Sequence, residues 1–230
     1  MTSGVDGEFV RGPPGVVDQL RRICGTAERA LFASGVGMSV ATADGTNGMT
    51  VASDPTSERL EELQFTLGEG PCVDAFTTRR PVLVAELDSD AMSRWPVYAP
   101  ALRDAGVRAV FAFPLQVGAA RLGVLDVFRA HPGPLSRIHL GQALTLADLA
   151  VATLLDGQER ATAGADGLDG AMEYGAELFQ AQGMVMIQLG VTLTEALARL
   201  RAYAYAEDRR LTEVAADVVA RRLSFDRDQQ

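Results

Sequence analysis

The chain contains no lysine, so all 21 of its basic residues other than histidine are arginine, set against 30 acidic residues for a formal net charge of -9. Positive charge is scarce, and any face that meets a polyanion has to be made by placement rather than by overall excess. Cysteine is almost absent as well. Cys24 and Cys72 stand far apart without a CxxC pair, and only His131 and His139 could assist them, so metal-ligand spacing is lacking and no metal is expected. Read along the sequence, no apolar run approaches the length of a bilayer span. The opening stretch MTSGVDGEFVRGPPG lacks the charged start and apolar core of a signal peptide. A cytoplasmic protein with no membrane partner is the expectation.

What is present is the composition of a folded chain, 47% apolar and 22% charged over 230 residues, enough for a medium domain and a small one. Ser136 to Arg160 reads as one long helix, with Ile138, Leu140, Leu144, Ala147, Val151 and Leu154 recurring mostly at three and four residues. The segment ATAGADGLDG then breaks the pattern, so a linker or helix break is expected over 158–170. Ahead of it, Val16 to Ala33 is helical in pattern. Val36 to Ala43 and Met49 to Ala52 read as strands around the turn Asp44 to Gly48. Ser57 to Phe65 reads as an amphipathic helix capped by Ser57, Trp95 to Ala105 as a helix, and Val107 to Leu115 and Leu122 to Phe128 as strands. Helices flanking a largely antiparallel sheet make the first domain α+β.

The stretches LGEGPCVDAF, PVLVAEL and AGVRAVFAFPLQVGAARLGVLDVFR, followed by the long helix, resemble a GAF domain over 14–157. The resemblance implies a sensory or dimerising module with an unidentified small-molecule ligand, and no cofactor. In the GEGP loop, Gly68 and Gly70 permit positive φ and let backbone NH groups converge on an acceptor ahead of a helix; a tight turn is the plainer alternative. Cys72 stands at the start of that helix, where the dipole lowers a thiol pKa. A similar glycine-loop cysteine serves GAF-type enzymes that reduce free methionine sulfoxide. Those enzymes use further cysteines nearby, and here only the distant Cys24 exists, so Gly68, Gly70 and Cys72 are read as a ligand or redox site without catalysis.

Residues 171–225 read as three short helices that can be stable only by packing their stripes together, so the second domain is expected to be an all-α three-helix bundle. Thr192 and Glu195 have the spacing of a capping box, and Leu211, Val214, Val218 and Leu223 stripe the last helix. The motifs AQGMVM, EALARLRAYA and LTEVA within this segment resemble an ANTAR domain over Ala181 to Arg222. The resemblance implies binding of paired stem-loops in nascent mRNA and prevention of a transcription terminator, by a homodimer. Gln182, Arg201, Tyr203, Arg209 and Arg210 are the residues it singles out for RNA, Tyr203 as a stacking surface or a partly buried core residue. Gln182 departs from the lysine often found there and supplies no charge. Residues 173–230 carry seven arginines against nine acids, so the basic groups have to be sorted onto one face. Two other readings stay open: a small-molecule or redox sensor whose C-terminal helices only dimerise, and a duplex-DNA reader, which the acids Glu213 and Asp217 on the third helix disfavour.

Overall fold

In the computed structural model the described residues are 15–41, 47–162 and 169–225. The tip of the expected hairpin turn at Asp44, the stretch before Gly15, and residues 163–168 of the expected linker lie outside them. The first domain is a five-stranded antiparallel sheet of β1 (Gly35–Ala41), β2 (Asn47–Ala52), β3 (Val82–Val84), β4 (Ala109–Val117) and β5 (Ala120–Arg129), in the order β2-β1-β5-β4-β3. Helices α1 (Val16–Ala30) and α6 (Arg137–Thr162) cover one face. The other face carries α2 (Pro55–Leu67), α3 (Pro71–Thr78), α4 (Ser89–Arg94) and α5 (Tyr98–Asp104). The α+β class expected from the sequence is the class observed.

The period-2 pattern of β1, GVGMSVA, sets this layering. Val36, Met38 and Val40 enter the core under α1 and α6. Gly35, Gly37 and Ser39 face α2, and a Cβ at Gly35 or Gly37 would run into Ser57 or Glu61. Small residues on one side of the strand let α2 sit close to the sheet, which carries Glu61 into the interior. Asp54, not Ser57, caps α2: its carboxylate accepts from the backbone NH groups of Thr56 and Ser57 at 2.8 and 3.0 Å. Pro55 at the first helical position moves the start forward, where its missing NH costs nothing. The helix expected over Trp95 to Ala105 is α5, which begins only at Tyr98, after Pro96, and the short α4 ahead of it was not expected.

Helix α6 continues to Thr162, so residues 158–162 of the expected linker are helical. Within residues 137–160 an 18-residue window has a mean hydropathy of 1.5, so this helix is long and apolar enough by length and composition to cross a membrane, although no such run was read from the sequence. His139, Asp148 and Asp156 interrupt a continuous run while alanines keep the average high. Ala143, Leu146, Ala147, Ala150 and Leu154 are buried against the sheet and α1, whereas Ile138, Leu144 and Leu149 stay exposed.

Helices α7 (Asp169–Leu189), α8 (Leu193–Ala206) and α9 (Leu211–Val219) share a second core made by Leu178, Val185, Leu200, Val214 and Val218. The expected capping box is present, with Thr192 and Glu195 bonded reciprocally, and α7 and α8 meet at a 103° bend. Phe65 of α2 joins this second core, so the bundle rests on the first domain through α2.

Gly123 of β5 lies opposite Val40, with a φ of 156°, and a Cβ there would strike the Ser39 carbonyl. Gly123→Ala is expected to lose on the order of 2 to 4 kcal/mol in urea unfolding followed by circular dichroism. Gly141→Ala, in open space on α6, is expected to gain up to about 1 kcal/mol in the same measurement.

Candidate functional site

Where α2 and α3 meet β1 and β5, the first domain buries two carboxyl groups side by side. Glu61 and Asp126 are both 0% exposed. The Ser39 hydroxyl donates to Glu61 Oε2 at 2.7 Å, and the Gln64 amide donates to Asp126 Oδ2 at 2.7 Å. Gln64 in turn accepts from the Cys72 backbone NH at 2.8 Å, tying the start of α3 to the same cluster. Gly70 makes room for this, since a Cβ on it would collide with the Gln64 side chain. The remaining oxygens, Glu61 Oε1 and Asp126 Oδ1, have no donor while both acids are ionised. A single proton shared between the two groups supplies the missing hydrogen bond.

The electrostatics favour that shared proton. Burial pushes Glu61 well above the usual carboxylate range, and the neighbouring Asp126 charge adds to the effect. Burial also raises Asp126 to about 6, partly offset by its bonds from Glu61 and Gln64. At neutral pH the pair therefore holds one proton and one negative charge, because two adjacent buried carboxylates cannot both ionise. Burial, then the charges of Asp126 and Glu61, push the Cys72 thiol well up, so the expected lowering by the α3 dipole is outweighed. Cys24 is pushed up to about 12, chiefly by burial. The two cysteines sit in cores on opposite faces of the sheet.

Beside the acid pair lies a cavity of about 220 Å³, walled by Phe65, Val73, Phe76 and Val124 and reached by Ser39, Glu61, Gln64 and Cys72. The helical bundle adds Leu197 and Arg201 of α8 to its lining. The Arg201 guanidinium stacks over the Phe65 ring at 4.9 Å and lies against Gly68. Burial pulls its pKa below the ordinary arginine range, and its Nε has no partner. The donor atoms of Glu61, Cys72 and Asp126 also lie within 4.8 Å of one another, close enough to share a metal ion. Sequence spacing missed that cluster because its members come from α2, α3 and β5.

A family model for the GAF domain matches residues 16–154, and one for the ANTAR domain matches residues 166–219. The chain belongs to the GAF family and carries an ANTAR domain behind it. No curated protein is matched. Among solved structures, a domain described as part of a two-component sensor histidine kinase protein from Sinorhizobium meliloti is 14% identical, with a TM-score of 0.53 over 65% of this chain and 97% of that one. The GAF domain region of a membrane protein from Geobacter sulfurreducens is also 14% identical, with a TM-score of 0.50 over 60% and 91%. A free methionine-R-sulfoxide reductase from Neisseria meningitidis, in complex with its substrate, is 17% identical at a TM-score of 0.43 over 60% and 78%, too distant for any inference. These likenesses concern the GAF fold alone.

The residues singled out for RNA do not share one environment. Gln182 is 7% exposed and donates to the Leu193 carbonyl at 2.7 Å, so it fastens the α7–α8 bend and is not open to RNA here. Tyr203 packs edge-on to Phe225, its centroid 5.4 Å away, which is the core role rather than the stacking one. Arg209 donates to Asp217 at 2.6 Å and lies 3.8 Å from Glu213, while Asp217 also holds Arg222 at 2.7 Å. Arg210 reaches across the domain boundary to Glu62 of α2 at 3.3 Å. Arg201, read from the sequence as an RNA contact, is drawn together with Gly68 and Cys72, read separately as a ligand site. Glu61, Gln64, Phe65 and Asp126 were not anticipated; the alternating small residues of β1 were the one available sign that something large had to fit beneath α2.

The raised pKa of Asp126 fixes the sign of a pH dependence. The folded state binds the proton more tightly than the unfolded one, so this contribution to stability is fully present below about 3.8 and is lost as pH rises through about 6. Asp126→Asn is expected to remove that fall, which amounts to on the order of 2 to 3 kcal/mol across the window. Urea midpoints of both proteins between pH 4 and 7.5 check it, and parallel pH profiles would show that the carboxyl does not titrate there.

Proposed function

We propose that the protein is a transcription antitermination regulator whose ANTAR domain binds paired stem-loops in nascent mRNA and whose GAF domain receives a signal. The observation that carries the reading is the ANTAR match over 166–219, following a GAF domain in the same chain. RNA loops are read by stacking and base-edge hydrogen bonds, with phosphates held electrostatically. Arg209 and Arg210, at the turn between α8 and α9, are the residues we assign to phosphate. RNA has to displace Asp217 and Glu62 from them, so RNA binding and release of the GAF domain are coupled. Arg201 reaches RNA only when α8 leaves Phe65.

The enzyme alternative finds less support. Cys72 is buried with its pKa raised, and Cys24 lies beyond the sheet, so a thiolate attack followed by resolution with a second cysteine lacks both partners. We read the chain as a regulator, not a reductase.

RNA crosslinked to the protein in cells and sequenced is expected to contain paired stem-loops ahead of terminators. In vitro, the double variant Arg209→Ala, Arg210→Ala is expected to bind a two-stem-loop RNA more weakly than Arg160→Ala, an exposed control on α6. Removing one arginine–phosphate pair should reduce the salt dependence of binding by about 0.7 log units per log unit of salt. Equal binding and equal salt slopes for folded variants would reduce these arginines to a solvated face.

Two stem-loops on one transcript suit a dimer, because the second binding event gains from effective concentration. We assign dimerisation to the exposed side of α6, where Ile138, Leu144 and Leu149 are uncovered. Leu144→Glu with Leu149→Glu is expected to halve the mass in light scattering while the circular dichroism spectrum is kept. An unchanged dimer mass would place the interface elsewhere. Val151 is unsuitable for this test, since it packs against the domain's own core.

A further inference from the structure

The cavity between the domains has opposite charges at its two ends. At one end Glu61 faces in from the buried acid pair, and neither its Oε1 nor Asp126 Oδ1 has a partner beyond the proton they share. A fixed negative charge therefore stays in the protein interior without a cation, an arrangement that is costly unless something compensates it. At the other end Arg201 brings a guanidinium into the same cavity, with its Nε unpaired. Among the described residues no carboxylate lies within ion-pair distance of Arg201, although Arg209, Arg210 and Arg222 all have one. The walls between the two ends are apolar and aromatic: Phe65, Val73, Phe76, Val124 and Leu197.

Two uncompensated charges of opposite sign across an apolar space define a complementary molecule. It carries an ammonium for the acid pair and a carboxylate for the guanidinium, with a short hydrocarbon part between or beside them. A purely cationic ligand would leave Arg201 unpaired, and a purely anionic one would meet Glu61. The volume of about 220 Å³ is below the roughly 300 to 1,000 Å³ of pockets for drug-sized ligands, which suits a small molecule.

We propose that this interdomain cavity binds a small zwitterion, an ammonium carboxylate of amino-acid size, with its ammonium on Glu61, the member of the acid pair that lines the cavity, and its carboxylate on Arg201. The inference rests on the reading of the GAF domain as the receiver of a signal, and it names the chemistry of that signal. Because Arg201 belongs to the ANTAR domain, the site is incomplete without α8. A ligand held at both ends fastens α8 to α2, and so keeps Arg201 over Phe65 and Arg210 beside Glu62.

The test is calorimetric titration and thermal shift of the full chain at pH 7.5. One arm uses the proteinogenic α-amino acids. The other uses the ω-amino acids γ-aminobutyrate, 5-aminovalerate and 6-aminohexanoate, in which the charges are farther apart. At least one zwitterion is expected to saturate the protein and raise its Tm, and the arm that responds gives the separation of the charges. The corresponding amine without the carboxylate and acid without the ammonium (pentylamine and pentanoate for 5-aminovalerate) are expected to bind at least tenfold more weakly. Glu61→Gln and Arg201→Gln are each expected to weaken binding at least tenfold, with Arg199→Gln, exposed on α8, unchanged. Should Glu61→Gln fail to fold, Arg201→Gln alone decides, since it leaves the interior of the GAF domain intact. Saturation by Zn²⁺ or Mn²⁺ with no response to any zwitterion would make the acid pair a metal site and overturn the proposal. So would silence from both arms, or equal binding of the amine or the acid alone. RNA binding is measured separately: intact RNA binding with no zwitterion bound removes this site and leaves the regulator, and the reverse result removes the regulator and leaves the site.

Discussion

The buried pair Glu61 and Asp126 constrains the molecule more than any other interaction. Two carboxyl groups in the interior persist only if they share a proton and have their other oxygens bonded, which Ser39 and Gln64 accomplish at 2.7 Å each. Several otherwise unrelated features follow from this requirement. Gly37 lacks a Cβ where Glu61 lies, and Gly70 lacks one where Gln64 lies. Gln64 passes the constraint on to the Cys72 backbone, so the loop between α2 and α3 is positioned by the acid pair from below. The glycines of GEGP thus serve packing, while the groups they expose to the cavity belong to α2 and β5.

That distinction explains which parts of the protein were legible in the sequence. The strands β4 and β5, the helix α6 and the capping box of α8 are local patterns of period or spacing, and the structure has them close to where those patterns put them. The starts of α2 and α5 differ from the expected ones for equally local reasons, a proline at the first helical position of α2 and another just ahead of α5. The cavity had no such signature. Its acids are separated by 65 positions along the chain, from Glu61 to Asp126, and Arg201 lies in a different domain. Motif reading therefore sorted Cys72 and Arg201 into two separate functions, and only the packing of α8 on α2 brings them together.

The arginines illustrate the same limit from the side of charge. An RNA contact would need them gathered on one basic face, yet three of them are paired with acids nearby: Arg209 and Arg222 with Asp217, and Arg210 with Glu62. Two of these pairs are within the ANTAR domain, and exposed pairs of this kind contribute little to stability. They are easily exchanged for phosphate. The Arg210 pair is different in kind, since breaking it also loosens one domain from the other.

Arg201 differs from all of these, and its position decides how the two halves of the chain can influence each other. It lies against an aromatic ring of α2, desolvated and without a counter-ion. Stacking on Phe65 recovers part of the cost of burying a guanidinium, and a carboxylate would recover more. The same side chain cannot lie over Phe65 and on an RNA loop at once. Any ligand that supplies the missing carboxylate lowers the free energy of the docked arrangement and by linkage weakens RNA that requires the undocked one. The direction of control in the proposed regulator then follows from a steric exclusion: the signal holds the ANTAR helix against the GAF domain, and its loss frees the arginines for the transcript.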